Sequence, residues 1–355
     1  MKNRVILLGA IVWGLLGLLL LGVLVYFLVR PAGVNDFWEG IGVSNNWTEA
    51  SLIREAQYSA AGLEAFGANA IAENVVVRLV PGDTIAVRQY GNPDRQEAFE
   101  ADEGGGRLTI SLRDSRKWWQ NIFSFGTWNS RLEIDLPAGY GGDVALSSAS
   151  GEILLPEDVK PVWGQVELRT VSGEIRAEAG LDGRRFTVST TSGGLRLGPV
   201  TAESGFTAHS VSGSLRLTAV NTQGTASLRT TSGSIQAETL SCLEYDVHSI
   251  SGGVSFTAGL SGQGNLKTTS GSIRVTGAAL TGGVSVHSTS GSVQFGLTAG
   301  QGCELRMSSV SGSLRCEQPL LSDGGESRGN ETAGRVGDGG PPLTISTTSG
   351  SIRVE

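Results

Sequence analysis

The sequence predicts an all-β protein, a parallel β-solenoid with rungs of about 20 residues, preceded by one transmembrane helix. A phrase consisting of a small residue, Ser-Gly and an aliphatic residue two positions after the glycine occurs ten times. Apolar and polar residues alternate on both sides of these glycines. A period near 20 residues indicates stacked units, because one unit cannot bury its apolar face alone. The glycines are Gly151, Gly173, Gly193, Gly213, Gly233, Gly252, Gly271, Gly291, Gly312 and Gly350.

We number each rung from its glycine, which is position 0. Positions −7 and −5 are apolar in most rungs, as in Phe186 and Val188, while position −3 is Ser or Thr and position −1 is Ser. This alternation with a period of two predicts a strand whose inward face carries these four positions. We expect the inward hydroxyls of neighbouring rungs to bond to one another, because stacked strands lie about 4.8 Å apart.

A second strand follows each glycine. Aliphatic residues return at position +2, as in Ile175 and Leu195, and apolar residues occupy position +4 in most rungs. The glycine between the two strands is explained either by a positive φ or by a close approach of another backbone segment, since both exclude a Cβ.

The N-terminus predicts a membrane anchor. Residues 5–29 carry no charge and would form a helix long enough to span a bilayer. No small-residue cleavage site is evident, which favours a retained signal anchor. Lys2 and Arg4 precede the helix and Arg30 alone follows it, which favours a cytoplasmic N-terminus and an extracytoplasmic solenoid at the cell membrane.

Between the anchor and the regular rungs we expect an irregular β section. Residues 74–80 and 84–89, joined by Pro81-Gly82-Asp83, predict a hairpin or two irregular rungs. The complete order is an anchor (1–30), a juxtamembrane linker (31–56), the irregular β section (57–145), the regular solenoid (146–316), a disordered Gly-rich insertion (317–342) and the last rung (343–355).

Two columns of basic residues are the main candidate site. They occupy positions −4 and +3, flank the Ser-Gly turns and would suit an anionic cell-wall polymer or lipid headgroups. The alternative to a binding site, which we favour, is that these residues form an ordinary solvated outer face. The residues are Arg169, His209, Arg229, His248, Lys267 and His287 at −4, and Arg176, Arg196, Arg216, Arg274, Arg315 and Arg353 at +3.

An aromatic insertion is the second candidate. It would contact the membrane or a partner, or it would cap the first rung, which is the favoured interpretation. Its residues are Trp118, Trp119, Phe123, Phe125 and Trp128.

The sequence predicts no metal site, no cofactor and no catalytic residues. The three histidines are two rungs apart, about 9.6 Å, which is too far for one zinc ion. The three cysteines lack metal-ligand spacing; we expect Cys316 to be buried and Cys242 and Cys303 to lie in or near loops. The acidic residues form no facing pair, and nothing indicates a nucleic-acid partner.

The stretch from Leu132 to Tyr140, Gly142-Asp143-Val144 and the Ser-x-Ser-Gly-x-Ile repeats that follow resemble the bacterial putative-adhesin β-strand-repeat family, a family of domains of unknown function. The resemblance covers roughly residues 57–355. It implies an extracytoplasmic β-solenoid of the cell envelope, and it supplies no catalytic residues.

These observations predict a membrane-anchored, non-catalytic envelope protein that serves adhesion, ligand binding or scaffolding. An envelope-stress sensor and a polysaccharide-acting β-helix enzyme remain as alternatives. The last rung ends at Glu355 without a cap, so we expect an open C-terminal edge that either is covered by the insertion or mediates self-association.

Overall fold

The computed structural model describes residues 50–93, 96–113, 130–321 and 330–355. Over these residues the regular structure consists of β-strands, as predicted. No helix among them is long and apolar enough to cross a membrane, and the proposed anchor at residues 5–29 lies outside the described part of the chain.

The described strands fall into an N-terminal section, a regular solenoid and a C-terminal section. The N-terminal section holds β1 (Ser51–Ser59), β2 (Ala65–Ala70), β3 (Asn74–Val80), β4 (Thr84–Gly91), β5 (Glu100–Gly104), β6 (Arg107–Ser111) and β7 (Arg131–Pro137). The regular solenoid holds β8 (Asp143–Ser148), β9 (Ile153–Leu154), β10 (Val162–Thr170), β11 (Ile175–Ala177), β12 (Leu181–Thr190), β13 (Leu195–Leu197), β14 (Val200–Ser210), β15 (Leu215–Thr222), β16 (Thr225–Thr230), β17 (Ile235–Ser249), β18 (Val254–Thr268), β19 (Ile273–Ser288), β20 (Val293–Leu297), β21 (Cys303–Ser309) and β22 (Leu314–Cys316). The C-terminal section holds β23 (Leu320–Leu321), β24 (Glu331–Val336), β25 (Pro342–Thr347) and β26 (Ile352–Val354).

The regular rungs stack in parallel and in register. The strands before the glycine pair in the order β8, β10, β12, β14, β16, β17, β18 and β19. The strands after the glycine pair in the order β9, β11, β13, β15, β17, β18, β19 and β20. A third set of short pairings joins later parts of the rungs, for example Val200 with Val220. Equivalent residues of neighbouring rungs therefore form columns along the stack.

The predicted apolar columns form the core. Positions −7 and −5 are buried in every rung except at Gly264, which is half-buried at position −7, and positions +2 and +4 are buried from the rung of Gly173 to that of Gly291. Leu314, at position +2 of the rung of Gly312, is only half-buried, because β22 pairs with a neighbour on one side alone in the described chain.

The repeated hydroxyl at position −3 bonds to the backbone of the turn, which corrects the expectation of bonds between hydroxyls. The Thr230 Oγ1 donates to the carbonyl oxygen of Gly213 in the preceding rung at 3.1 Å and accepts from the N–H of Gly233 at 3.1 Å. The same pair of bonds is made by Thr170, Thr190, Ser210, Ser249 and Thr268. The serine at position −1 is exposed, as in Ser172 and Ser212, so the inward alternation ends at position −3.

The repeat glycines are required by close backbone approach. A Cβ on Gly213 would lie 1.7 Å from the carbonyl oxygen of Gly193, and a Cβ on Gly193 would lie 1.7 Å from that of Gly173. Positive φ angles occur only at other glycines of the described chain, such as Gly180 and Gly264. The repeat glycines are therefore explained by the close approach of another backbone segment and not by a positive φ. Each turn therefore rests directly on the turn below it.

The N-terminal section does not follow the order of the sequence. β2 and β3 form the innermost rung, and β6 and β7 stack outside them. β4 pairs antiparallel with β7 and β1, so β3 and β4 form no hairpin with each other. The β section also begins at Ser51, within the segment predicted to be a linker.

The C-terminal section is also out of order. β25 lies between β19 and β21, and β26 lies between β20 and β22, so the last rung is inserted inside the stack. The rung of Gly312 is therefore the terminal rung in space: β24 covers its strand β21, as expected of the insertion, while its strand β22 has one partner in the described chain, and the prediction that the last rung in sequence forms the open edge is wrong. The prediction of disorder for residues 317–342 is wrong where they are described, because β24 pairs antiparallel with β21 and with β23.

An ion-pair network stabilises the outer face of the N-terminal section. Arg78 contacts Glu133 and Asp135, and Arg88 donates to Asp135 at 2.5 Å. Burial of the Glu133 carboxyl opposes ionisation, but hydrogen bonds from Arg131 and Arg78 and their charges outweigh it, so the pKa of Glu133 is lowered. Ionised Glu133 therefore stabilises this end of the solenoid.

Replacing Gly213 by Ala tests the close packing of the turns. We expect Gly213→Ala to lower the free energy of unfolding by about 2 to 3 kcal/mol or more, because the new Cβ must displace the backbone of Gly193. The control is Gly139→Ala, which meets no atom within 4 Å. Urea unfolding measures both, and equal stability of the two variants would contradict the packing of the turns.

Glu133→Gln tests the ion-pair network. At neutral pH we expect a loss of about 1.5 to 3 kcal/mol in unfolding free energy. Because the folded pKa of Glu133 is lowered, its contribution is complete above the unfolded value of about 4.3 and disappears as the pH falls through the folded value. Urea unfolding across a pH series should therefore show the two proteins converging in acid.

The matched control for this pH series is Glu167→Gln, which removes an exposed carboxylate paired with Arg169. It should cost less than about 1 kcal/mol at any pH. A loss for Glu133→Gln that did not change with pH would overturn the assignment.

Candidate anion-binding surface

The structure places the two predicted basic columns on two different strand columns. The +3 residues lie on the strands after the glycine, where Arg176, Arg196 and Arg216 are direct neighbours in register. Gln236 and Ser255 then separate Arg216 from Arg274. Beyond Arg274 the column continues with Gln294, Arg353 and Arg315.

Carboxylates neutralise both ends of the +3 column. Glu174 contacts Arg176 at 2.7 Å and Arg196 at 2.6 Å. At the other end Glu317 contacts Arg353 at 2.5 Å and Arg315 at 3.4 Å. These arginines are therefore largely committed to contacts within the protein.

The middle of the column is different. Arg216 and Arg274 are exposed, and neither forms an ion pair with any described residue. The Arg274 Nε donates to Gln294 Oε1 at 3.1 Å, which fixes part of the side chain and leaves the remaining guanidinium donors free to bind a ligand. The uncompensated positive charge of this face thus lies between the two neutralised ends.

Two grooves follow this face and meet at Gln236 and Ser255. We call the groove beside Arg196 and Arg216 the arginine groove; its volume is 640 Å³, and Glu178 and Glu238 lie among its lining residues. We call the other the serine groove; its volume is 430 Å³. Its polar lining consists of Ser234, Gln236, Ser255, Ser272, Arg274, Ser292, Gln294, Ser351 and Arg353.

The serine groove combines donors with a lining that holds no carboxylate in the described chain, but Glu355 bonds to Gln294 and Arg353 at one end of the groove, so the donors left for a ligand are those of Arg274 and the serines. Serine at position +1 supplies hydroxyls from successive rungs, of which Ser272, Ser292 and Ser351 are exposed. Two contacts between such hydroxyls occur, from Ser234 to Ser214 at 3.2 Å and from Ser313 to Ser351 at 3.0 Å. Bonds between equivalent hydroxyls of neighbouring rungs therefore occur in these two places at position +1, and not at the inward positions where they were expected.

The −4 column runs along the strands before the glycine. His209, Arg229, His248, Lys267 and His287 occupy five successive rungs. Arg229 pairs with Asp246, Arg169 pairs with Glu167, and the His287 Nδ1 lies 2.9 Å from Ser346 Oγ. The histidines are in alternate rungs, and the described residues contain no group of three potential metal ligands.

The cysteines do not offer a reactive thiolate. Burial raises the pKa of Cys242 to about 12 and that of Cys303 to about 11, and it also raises the pKa of Cys316. Cys316 is only half-buried, although it packs against the core, whereas Cys242 and Cys303 are buried; Cys303 begins β21 shortly after a turn, near a loop as predicted, and Cys242 lies within β17. A raised pKa keeps these thiols neutral, and all three lie in or against the hydrophobic core.

Sequence reasoning found the arginine columns but missed the residues that decide which arginines are free. Glu174 is at position +1 of its rung and Glu317 is at position +5, so a check of the columns beside +3 would have found both. The serines at +1 were likewise visible as a repeat. The predicted aromatic site at Trp118, Trp119, Phe123, Phe125 and Trp128 lies outside the described residues.

Three solved structures are similar to this chain at low sequence identity. A structure described as a putative cell adhesion protein from Clostridium sporogenes is 10% identical, covers 86% of this chain and 99% of its own and has a TM-score of 0.23. A putative adhesin from Bacteroides fragilis is 13% identical, covers 86% of this chain and 97% of its own and has a TM-score of 0.35. A putative adhesin from Parabacteroides merdae is 9% identical, covers 87% and 97%, and has a TM-score of 0.37.

No curated protein matches the chain in sequence. The sequence model of one family, described as Toastrack DUF4097, matches residues 69–355. The match spans every Ser-Gly rung and confirms the resemblance to a family of domains of unknown function. The chain belongs to the Toastrack DUF4097 family.

Proposed function

We propose that this protein is a non-catalytic binding module of the bacterial cell envelope, which binds a linear anionic polymer along the serine groove. In this proposal residues 5–29 anchor the chain in the cell membrane and the solenoid is extracytoplasmic. Binding a polymer of the envelope would serve adhesion or scaffolding. The observation that carries the proposal is that Arg274, which lacks an ion-pair partner in the described chain, lies among five serine hydroxyls in a groove without a lining carboxylate.

The chemistry of the groove favours an anion. Guanidinium N–H groups are donors only, and serine hydroxyls can donate, so phosphate or carboxylate oxygens would satisfy both. Ser272, Ser292 and Arg274 present such donors on neighbouring rungs. Positive charge without an internal partner attracts anions, and this attraction is weakened by salt.

The shape of the groove favours a linear polymer over a flat membrane surface as the ligand. The groove crosses successive rungs from Ser234 to Ser351 and is recessed between side chains. A linear polymer can lie within it and meet Arg274 and the serines together. A bilayer surface would meet mainly the rims, so we assign a polymer rather than lipid headgroups as the ligand.

Arg274→Gln is the direct test, with linear inorganic polyphosphate as the probe and the full-length chain in neutral detergent. We expect the affinity to fall about tenfold, which is the loss of one charge-assisted hydrogen bond. The control is Arg196→Gln, which makes the same change in net charge at an arginine already paired with Glu174. It should have a much smaller effect.

The salt dependence and a lipid arm complete the experiment. Binding should weaken as salt increases, and vesicles of phosphatidylglycerol should bind less tightly than the polymer. Equal losses of affinity for Arg274→Gln and Arg196→Gln would show that binding depends only on the net charge of the protein and not on the serine groove. Preferential binding of vesicles would replace the polymer by a lipid surface.

A further inference from the structure

The last rung in sequence is not the last rung in space. Residues 342–347 pair with β19 on one side and with β21 on the other, and residues 352–354 pair with β20 and β22. The rung of Gly350 thus fills a slot between the rungs of Gly291 and Gly312. Both walls of this slot precede the rung in the chain, so the rung of Gly350 has to enter between two segments that are synthesised earlier.

The inserted rung makes the same hydroxyl-to-carbonyl contact with its neighbours as the regular rungs do. The Thr347 Oγ1 donates to the carbonyl oxygen of Gly291 at 3.1 Å, and the Ser309 Oγ donates to that of Gly350 at 2.9 Å. Leu343, Ile345, Ile352 and Val354 are fully buried between the walls. None of these contacts depends on the covalent connection of the rung, so an identical rung from elsewhere would make them equally well.

The connection to the rest of the chain is a short loop with the features of a hinge. Residues 337–341 lead from β24, on the outer side of β21, to β25 on its inner side. Gly337, Gly339 and Gly340 have φ angles of 57°, 82° and 150°, and Pro341 and Pro342 follow. Changing a few of these backbone angles would swing residues 342–355 away from their own slot, and exchange of an identical element between copies is a low-cost route to dimers.

We propose that residues 342–355 are a donor rung that a second copy of this chain accepts in the slot between its rungs of Gly291 and Gly312. The occupant follows from the fit, because the slot in this structure is filled by these residues and every copy presents the same segment. Exchange would also build the serine groove from two chains, since Ser351 and Arg353 belong to the donor rung and Arg274 to the acceptor. The inference does not depend on anion binding.

Disulfide trapping tests this exchange in the full-length chain. Ser285 and Thr344 are register partners on the outer face of β19 and β25, at a separation suited to a disulfide. With Cys316 replaced by Ala, Ser285→Cys and Thr344→Cys together should close a bond within one chain. Two tagged chains, one carrying Ser285→Cys and the other Thr344→Cys, should give a disulfide-linked heterodimer of twice the chain mass when they are co-expressed and oxidised.

The matched control uses Thr187 and Thr207, register partners in the same outward column between two sequential interior rungs. Co-expressed Thr187→Cys and Thr207→Cys chains should remain monomeric. The proposal is overturned if the paired end variants also remain monomeric while the double variant closes within its chain. It is overturned equally if the double variant fails to close, because the rung would then not occupy this slot.

Discussion

The structure depends on one close contact, in which the backbone of each Ser-Gly turn rests on the carbonyl oxygen of the turn below. Only glycine permits this approach, since a Cβ on Gly233 would lie 2.0 Å from the carbonyl oxygen of Gly213. The hydroxyl of Thr230 completes the contact by bridging the two turns. Because buried backbone groups are costly to leave unpaired, this pair of hydrogen bonds holds the turns from Gly173 to Gly271 in the same register.

The fixed register decides the chemistry of the outer surface. Side chains at one position line up along the stack, so each charge meets those of the neighbouring rungs as well as those two residues away on its own rung, such as Glu167 beside Arg169. Glu174 therefore neutralises Arg196 of the next rung, and Glu317 neutralises Arg353 of the inserted rung. Arg274 has no such neighbour among the described residues, which is why the binding groove is assigned to that part of an otherwise regular column.

The sequence predicted the repeated strands and turns. It could not predict which rungs stack on each other where every pair of rungs would make the same contacts. The period identified the glycines, the core columns and both basic columns. The inward placement of the serine at −1 was wrong because a period of two was continued into a turn, where Ser172 leaves the strand. The inserted rung of Gly350 was not predictable, since its contacts to Gly291 and Gly312 are those of any adjacent pair of rungs. The choice between positive φ and close approach at the glycines likewise required coordinates.

Hydrogen exchange of the glycine amides tests this account most directly. The Ser-Gly turns lie beside exposed residues such as Ser212, where the amides of an ordinary turn would exchange quickly. If hydroxyl bridges hold the turns together, the N–H groups of Gly193, Gly213 and Gly233 should exchange as slowly as those of the neighbouring strands, measured by nuclear magnetic resonance. Fast exchange of these amides beside protected strands would show that the turns are independent loops and would contradict the account.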